Sequence, residues 1–130
     1  MIEQILSKRK FAVVGASRDR AKFGNKVYNT LKRAGYDVFP VNPNATDIDG
    51  DPVYPRLDNL PAGIECVVTV VPPEVTFEIV RDAGRLRVPY MWMQPGSESD
   101  AAVTEALALG IEAVFGGPCI MVEIGRRGTH

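Results

Sequence analysis

One stretch constrains the fold more than any other: residues 64–71, Ile-Glu-Cys-Val-Val-Thr-Val-Val, are nearly continuous in valine and isoleucine. A strand with one face in water alternates apolar and polar residues. A strand apolar at successive positions must be covered on both faces, which is the condition of a parallel sheet sandwiched between helices. The rest of the chain supplies the other strands. Residues 10–15 form a short apolar run stopped by Gly15, and residues 37–41, 89–93 and 111–115 read as further strands.

Helical spacing fills the gaps. Val27, Leu31 and Ala34 recur on one stripe of residues 23–34, and Gly35 supplies a C-terminal stop. Pro73 and Glu74 open a second helix whose stripe reads Val75, Ile79, Ala83 and Leu86. Ser97 with Asp100 three residues on resembles a capping box, followed by the stripe Val103, Ala106 and Leu107 and the terminator Gly110. Residues 42–61 are rich in Asp, Pro, Gly and Asn and read as a long irregular connection with a helical turn near Leu57, and everything from Gly116 onward reads as loop and tail. Strand and helix thus alternate throughout. The expectation is one doubly wound, Rossmann-like α/β domain over residues 1–130, with about five parallel strands, right-handed crossovers and helices on both faces. The expected strand order is 3-2-1-4-5. That order places the ligand crevice between the ends of the first and fourth strands, flanked by Gly15-Ala16-Ser17 and Met93-Gln94-Pro95.

Composition removes several function classes. At 130 residues the chain can bury one core of useful extent, and its 45% hydrophobic and 24% charged residues are those of an ordinary soluble globule. No apolar run approaches the roughly 20 residues that span a bilayer, and the N-terminus lacks the basic and apolar regions of a signal peptide, so a cytoplasmic location is expected. Neither a membrane nor a nucleic acid is an expected partner. Cys66 and Cys119 form no CxxC pair, and the single histidine is His130, so disulfide frameworks, metal sites and Ser-His or Cys-His catalysis have little to build on. The net charge of -1 hides an asymmetry: residues 1–36 hold nine Lys/Arg against Glu3 and Asp19, and the remainder holds six against fourteen acids. A solvated helix face accounts equally well for Lys8, Arg9, Lys10, Lys32 and Arg33.

The chemistry concentrates after the first strand, in Gly15-Ala16-Ser17-Arg18-Asp19-Arg20-Ala21-Lys22-Phe23-Gly24. This segment keeps the first glycine of GxGxxG and neither of the others in place. The second strand ends in Val41-Asn42-Pro43, without the acid that binds the ribose of NAD or an arginine for NADP. Ser17 nevertheless sits beside an oncoming helix N-terminus with Arg18, Arg20 and Lys22 close by, a setting for a phosphate-rich nucleotide. The bland alternative is that Gly15 only makes a turn and the basic residues are solvated.

Five segments taken in order resemble the stand-alone CoA-binding domain proteins, whose fold is shared with the N-terminal domain of the succinyl-CoA synthetase α subunit. They are residues 14–17, Val-Gly-Ala-Ser; residues 35–43, Gly-Tyr-Asp-Val-Phe-Pro-Val-Asn-Pro; residues 70–74, Val-Val-Pro-Pro-Glu; residues 92–96, Trp-Met-Gln-Pro-Gly; and residues 117–123, Gly-Pro-Cys-Ile-Met-Val-Glu. The resemblance implies that Gly15, Ala16, Ser17 and Arg18 contact the pyrophosphate of coenzyme A, that Asn42, Pro43 and Asn44 lie near the adenosine ribose, that Val71 and Pro72 wall the adenine, and that Gln94 sits beside the ligand. Many members carry a lysine or arginine where this chain has Asn44, so the resemblance passes the 3'-phosphate contact to Arg18 or Arg20. Pro72 and Pro73 also serve to start a helix, and Trp92 and Cys66 read as core. Cys119, after the last strand, is positioned to face the crevice.

The expected function is non-covalent binding of coenzyme A or an acyl-CoA without turnover, because the sequence offers no evident general base, nucleophile or metal cluster. A ligase-like or cofactor-dependent enzyme subunit, and a scaffold with a vestigial nucleotide pocket, are the competing readings.

Overall fold

The computed structural model describes residues 1–127. In chain order it contains α1 (Ile2–Leu6), β1 (Lys10–Val14), α2 (Phe23–Arg33), β2 (Asp37–Val41), β3 (Asp47–Ile48), β4 (Asp51–Pro52), a 3-10 turn (Leu57–Asn59), β5 (Cys66–Thr69), α3 (Pro73–Arg85), β6 (Tyr90–Met93), α4 (Asp100–Ala108), β7 (Glu112–Val114) and α5 (Ile120–Arg127). Five strands form one parallel sheet in the order β2-β1-β5-β6-β7. The α/β class expected from the sequence is therefore correct.

The expected order of the strands is not. Counting the five sheet strands along the chain, the order is 2-1-3-4-5, because β5 pairs with β1 and not with β2. Two features of the residues dictate this. The run Cys66-Val67-Val68-Thr69 is buried at every position and belongs in the middle of the sheet. Strand β2 contains Pro40, which lacks an N–H and is confined to an edge. The outer side of β2 is closed by the returning chain, where Tyr54 N donates to Pro40 O at 2.9 Å and Asn42 N donates to Tyr54 O at 2.9 Å. The point at which the chain reverses direction, and with it the ligand crevice, moves from the first and fourth strands to the ends of β1 and β5.

Alternate residues of each strand face opposite layers, which is why the strands read as unbroken apolar runs. Phe11, Val13, Cys66, Val68 and Trp92 pack against α1, α2 and α5 on one side. Ala12, Val14, Val67, Met91 and Met93 pack against α3 and α4 on the other. Trp92 is fully buried and donates from Nε1 to Pro118 O at 3.1 Å, which fixes the loop that leads into α5. Among the described residues no helix is long and apolar enough to cross a membrane.

Several local expectations need correction. The N-cap of α4 is Ser99, whose hydroxyl accepts from Ala102 N at 3.1 Å; Ser97 is buried instead against Thr69 and the Gln94 carbonyl. Leu107 is 72% exposed, and the sheet is met by Ala102 and Ala106. Helix α4 is apolar nearly all round, so its sequence did not select a face. In α3 Ala83 is buried as expected, but Thr76 and Val80 take the buried places expected of Val75 and Ile79, and Leu86 is exposed. Residues after Gly116 are not all loop: Ile120 and Ile124, four residues apart, anchor α5. The irregular connection holds the β3–β4 hairpin, turned by Asp49 at φ 51° and Gly50 at φ 88°, the Asp-Gly signature of a type I' turn. His130 lies outside the described residues.

Glu65 ties the two central strands together, its Oε1 accepting from Arg9 N and Lys10 N at 3.0 Å each. Those two backbone donors hold its carboxyl below the usual glutamate range. A depressed folded value contributes stability that is complete above the ordinary glutamate pKa of about 4.3 and is lost as pH falls through the folded value. Urea midpoints measured against pH are expected to drop on acidification below about pH 4, and Glu65→Gln is expected to make that decline shallower.

Candidate functional site

The site is built on a turn that only glycine permits. Strand β1 ends at Val14, and Gly15 follows with φ +96°. A Cβ on Gly15 would lie 2.2 Å from Val70 O, and a Cβ on Gly24, in the first turn of α2, would lie 1.9 Å from Gly15 O. Helix α2 is thereby pressed onto the turn, as in nucleotide folds whose glycines allow close helix–strand approach. Gly15 N donates to Val41 O at 3.0 Å and Val70 N to Val14 O at 2.9 Å, so the turn stands at the ends of β1, β2 and β5 together.

Three asparagines then set its polarity. Asn42 Nδ2 donates to Ala16 O at 2.8 Å, Asn25 Nδ2 donates to Ser17 O at 2.9 Å, and Asn29 Nδ2 supports Asn25 Oδ1 at 3.0 Å. The turn's carbonyls are taken up by these amides. The backbone N–H groups of Ala16, Ser17 and Arg18 take no intramolecular partner among the described residues. Lys22 caps α2 without a side-chain hydrogen bond. Unpartnered N–H groups beside a helix N-terminus favour an anion.

The basic residues of the turn face an acidic hairpin. Arg18 lies 4.0 Å from Asp47 and Arg20 lies 3.7 Å from Asp49. Lys32 pairs with Asp51, which also accepts from Tyr28 Oη at 2.8 Å. Lys32 and then Tyr28 hold the Asp51 carboxyl below its usual range, while burial and then the Asp51 bond push the Tyr28 phenol up. The hairpin is thus fixed at Asp51 and at the buried Ile48. The Arg18 and Arg20 pairs are long and solvated, and pairs of that kind contribute little. Both guanidinium groups can turn to another anion at small cost.

Beside the turn opens a cleft of about 390 Å³, within the roughly 300–1,000 Å³ usual for small-molecule sites. Val71, Val75, Ile79 and Leu57 supply apolar lining, and Gly15, Asn42, Pro43, Asn44, Pro55, Arg56 and Asp82 line the rest. Of the residues singled out from the sequence, Gly15, Asn42, Pro43, Asn44 and Val71 meet in this cleft. Ala16, Ser17, Arg18 and Arg20 continue from it along the turn, Ala16 with its side chain fully buried. Pro72 falls outside it, as the N-cap of α3. Gln94 also falls outside: its Oε1 accepts from Ile120 N at 2.7 Å and its Nε2 donates to Cys119 Sγ at 3.4 Å, so the amide holds the first turn of α5. Cys66 is fully buried and its thiol pushed up by that burial, which makes it an inert core residue.

Sequence reasoning missed Gly24, Arg56, Val75 and Ile79. Val75 and Ile79 carried a signal, since they lie at helical spacing beside the Thr76, Val80 and Ala83 stripe that meets the sheet. An apolar face wider than the sheet can cover marks a second contact.

Over residues 9–125 the chain matches the CoA binding domain family. It is a member of that family. The ADP-forming acetate–CoA ligase I of Archaeoglobus fulgidus is 31% identical over 84 residues, 65% of this chain. The chain spans 12% of that ligase's length. A conserved hypothetical protein from Pyrococcus furiosus superposes with a TM-score of 0.85 at 40% identity, covering 89% of this chain and 99% of the other. A hypothetical protein from Pyrococcus horikoshii superposes with a TM-score of 0.91 at 34% identity, covering 96% and 88%. The fold of this chain thus occurs as a protein of about its own size, and the chain also matches a small part of a much longer ligase.

The glycine contacts of this CoA-binding domain make a direct test. Gly24→Ala drives a methyl group into the Gly15 carbonyl, and overpacking of that kind costs about 1–3 kcal/mol. A lowered melting temperature is expected. Gly125→Ala, in α5 with open space around the added methyl, is expected to leave stability unchanged or raise it by up to about 1 kcal/mol.

Proposed function

We propose that this chain binds coenzyme A or an acyl-CoA non-covalently and does not turn it over by itself. The observation that carries the reading is the continuity at Gly15 of two unlike surfaces, an apolar cleft and a turn that presents unpartnered N–H groups. A nucleotide whose adenosine is followed by a pyrophosphate and a long neutral arm matches that sequence of surfaces.

The residues fit the ligand part by part. Val71, Val75 and Ile79 offer flat apolar contact to a purine, and Asn42 to Asn44 stand where a ribose would follow. The N–H groups of Ser17 and Arg18, with the Arg18 guanidinium, suit a pyrophosphate. Coenzyme A, when bound, supplies a thiol that carries acyl groups as thioesters. The family membership and the names of the ligase relatives point the same way. NAD is disfavoured because β2 runs into Val41-Asn42-Pro43, with no acid for the ribose hydroxyls.

A binding role rather than a catalytic one is supported by the make-up of the cleft. The charged side chains that line it, Arg56 and Asp82, are both in ion pairs, with Asp58 at 3.3 Å and Arg85 at 3.0 Å. Neither is placed as a base in a water-excluded pocket.

Titration calorimetry with coenzyme A and with NAD tests the proposal. Coenzyme A is expected to bind and NAD to bind far more weakly; equal affinities, or no heat with coenzyme A, would overturn it. Arg18→Ala removes a charge-assisted hydrogen bond of roughly 1.5–3 kcal/mol, so coenzyme A should weaken by about tenfold to a hundredfold with the melting profile intact. Unchanged affinity would return Arg18 to the solvated surface.

A further inference from the structure

We propose that Arg56 is the residue that recognises the phosphate monoester on the ribose of coenzyme A, making this site selective for the 3'-phosphorylated cofactor. The inference rests on the coenzyme A reading of the cleft and goes on to name its specificity determinant.

Among the described residues the cleft is lined by one cationic side chain, Arg56. Position 44, directly after Asn42-Pro43, is an asparagine and brings no charge. Backbone pairing brings the two positions to the same cleft. Asn42 N donates to Tyr54 O and Val41 bridges Tyr54 in parallel, which brings the chain after Tyr54 to the cleft that the chain after Asn42 also lines. Asn44 and Arg56 both line it. Arg18 and Arg20, by contrast, do not line the cleft and face Asp47 and Asp49 over the turn.

The charge environment leaves Arg56 available. Its Nη2 lies 3.3 Å from Asp58 Oδ2 across a two-residue separation, and its side chain is 70% exposed. Asp58 is claimed more closely by Arg85, whose Nη2 lies 2.6 Å from Oδ1, and the Arg85 bond is the main reason the Asp58 carboxyl sits below its usual range. Arg85 in turn bonds Asp82 at 3.0 Å. Asp58 therefore keeps its closer partner, Arg85, when Arg56 turns away, with Arg85 shared between Asp58 and Asp82. The guanidinium can leave a weak pair for a dianionic phosphate, whose oxygens match its planar fork of donors. Ligand and protein thus meet through complementary charge in a cleft whose other charged side chain, Asp82, is paired with Arg85.

The test is a binding cycle with coenzyme A and dephospho-coenzyme A on the unsubstituted protein and on Arg56→Gln, by calorimetry at fixed ionic strength. The unsubstituted protein should prefer coenzyme A. In Arg56→Gln, coenzyme A should weaken by about tenfold to a hundredfold while dephospho-coenzyme A is unchanged, so that the preference collapses. Arg18→Gln should weaken both ligands alike, and Asp58→Asn should keep the preference, which separates phosphate reading from general loss of charge at the rim. A preference retained in Arg56→Gln, or an equal loss for both ligands, would overturn the assignment while leaving the coenzyme A reading in place. No binding of either ligand to the unsubstituted protein would overturn that reading, and this assignment with it.

Discussion

The contact on which the rest of the structure depends is backbone against backbone at Gly15. The Gly15 carbonyl is pressed by Gly24 of α2, and the Gly15 Cα is pressed by the Val70 carbonyl after β5. A side chain at either glycine would separate helix, turn and strand. Because both stay bare, the N-terminus of α2 closes to the ends of β1 and β5, where the sheet's chain direction reverses. Close-packed interiors transmit such a constraint, since neighbouring elements cannot drift without opening voids. The amides of Asn25 and Asn42 take up the carbonyls of Ser17 and Ala16, with Asn29 supporting Asn25, and the N–H groups of Ser17 and Arg18 take no partner among the described residues.

From that contact the site divides into an apolar half and a charged half. The apolar half belongs to α3, whose Thr76, Val80 and Ala83 meet the sheet while Val75 and Ile79 look into the cleft. The charged half belongs to the turn and to the β3–β4 hairpin, in which Asp47, Asp49 and Asp51 alternate opposite Arg18, Arg20 and Lys32. The pairing is graded. Asp51, bound by both Lys32 and Tyr28, fixes the hairpin, and the looser Arg18 and Arg20 pairs keep two guanidinium groups near the turn without holding them firmly. This arrangement also explains how a chain with a strongly basic first quarter folds without self-repulsion there.

Much of this was legible in the residues, for physical reasons that differ from element to element. The run at residues 64–71 could only be a doubly covered strand, and Gly15 could only be a turn, so class and loop followed. The strand order did not follow from alternation, although Pro40 carried it: a proline within β2 has no N–H for a full ladder on its outer side, where the chain makes the isolated Tyr54 bridge. The β3–β4 hairpin was announced by Asp49-Gly50 amid residues that otherwise read as irregular. Helix α5 was hidden because its two turns hold a glycine and three β-branched residues, and only the spacing of Ile120 and Ile124 shows its buried face. Gln94 stood in a segment shared with CoA-binding proteins, yet its amide caps α5; a short motif does not say which way a side chain turns. Arg56 could not be found from the sequence, because it reaches the cleft through the tertiary pairing of Tyr54 with β2.

The central claim is that one contiguous surface, from the N–H groups of the turn into the α3 cleft, holds coenzyme A. Amide chemical shifts of the isotope-labelled protein, followed during titration with coenzyme A, test this residue by residue. The account predicts saturable shifts concentrated in residues 15–18, 42, 44, 56, 71 and 75–79, with α4 and β7 unmoved. Shifts centred on α4, β7 or α5, or a spectrum unchanged at millimolar ligand, would contradict it.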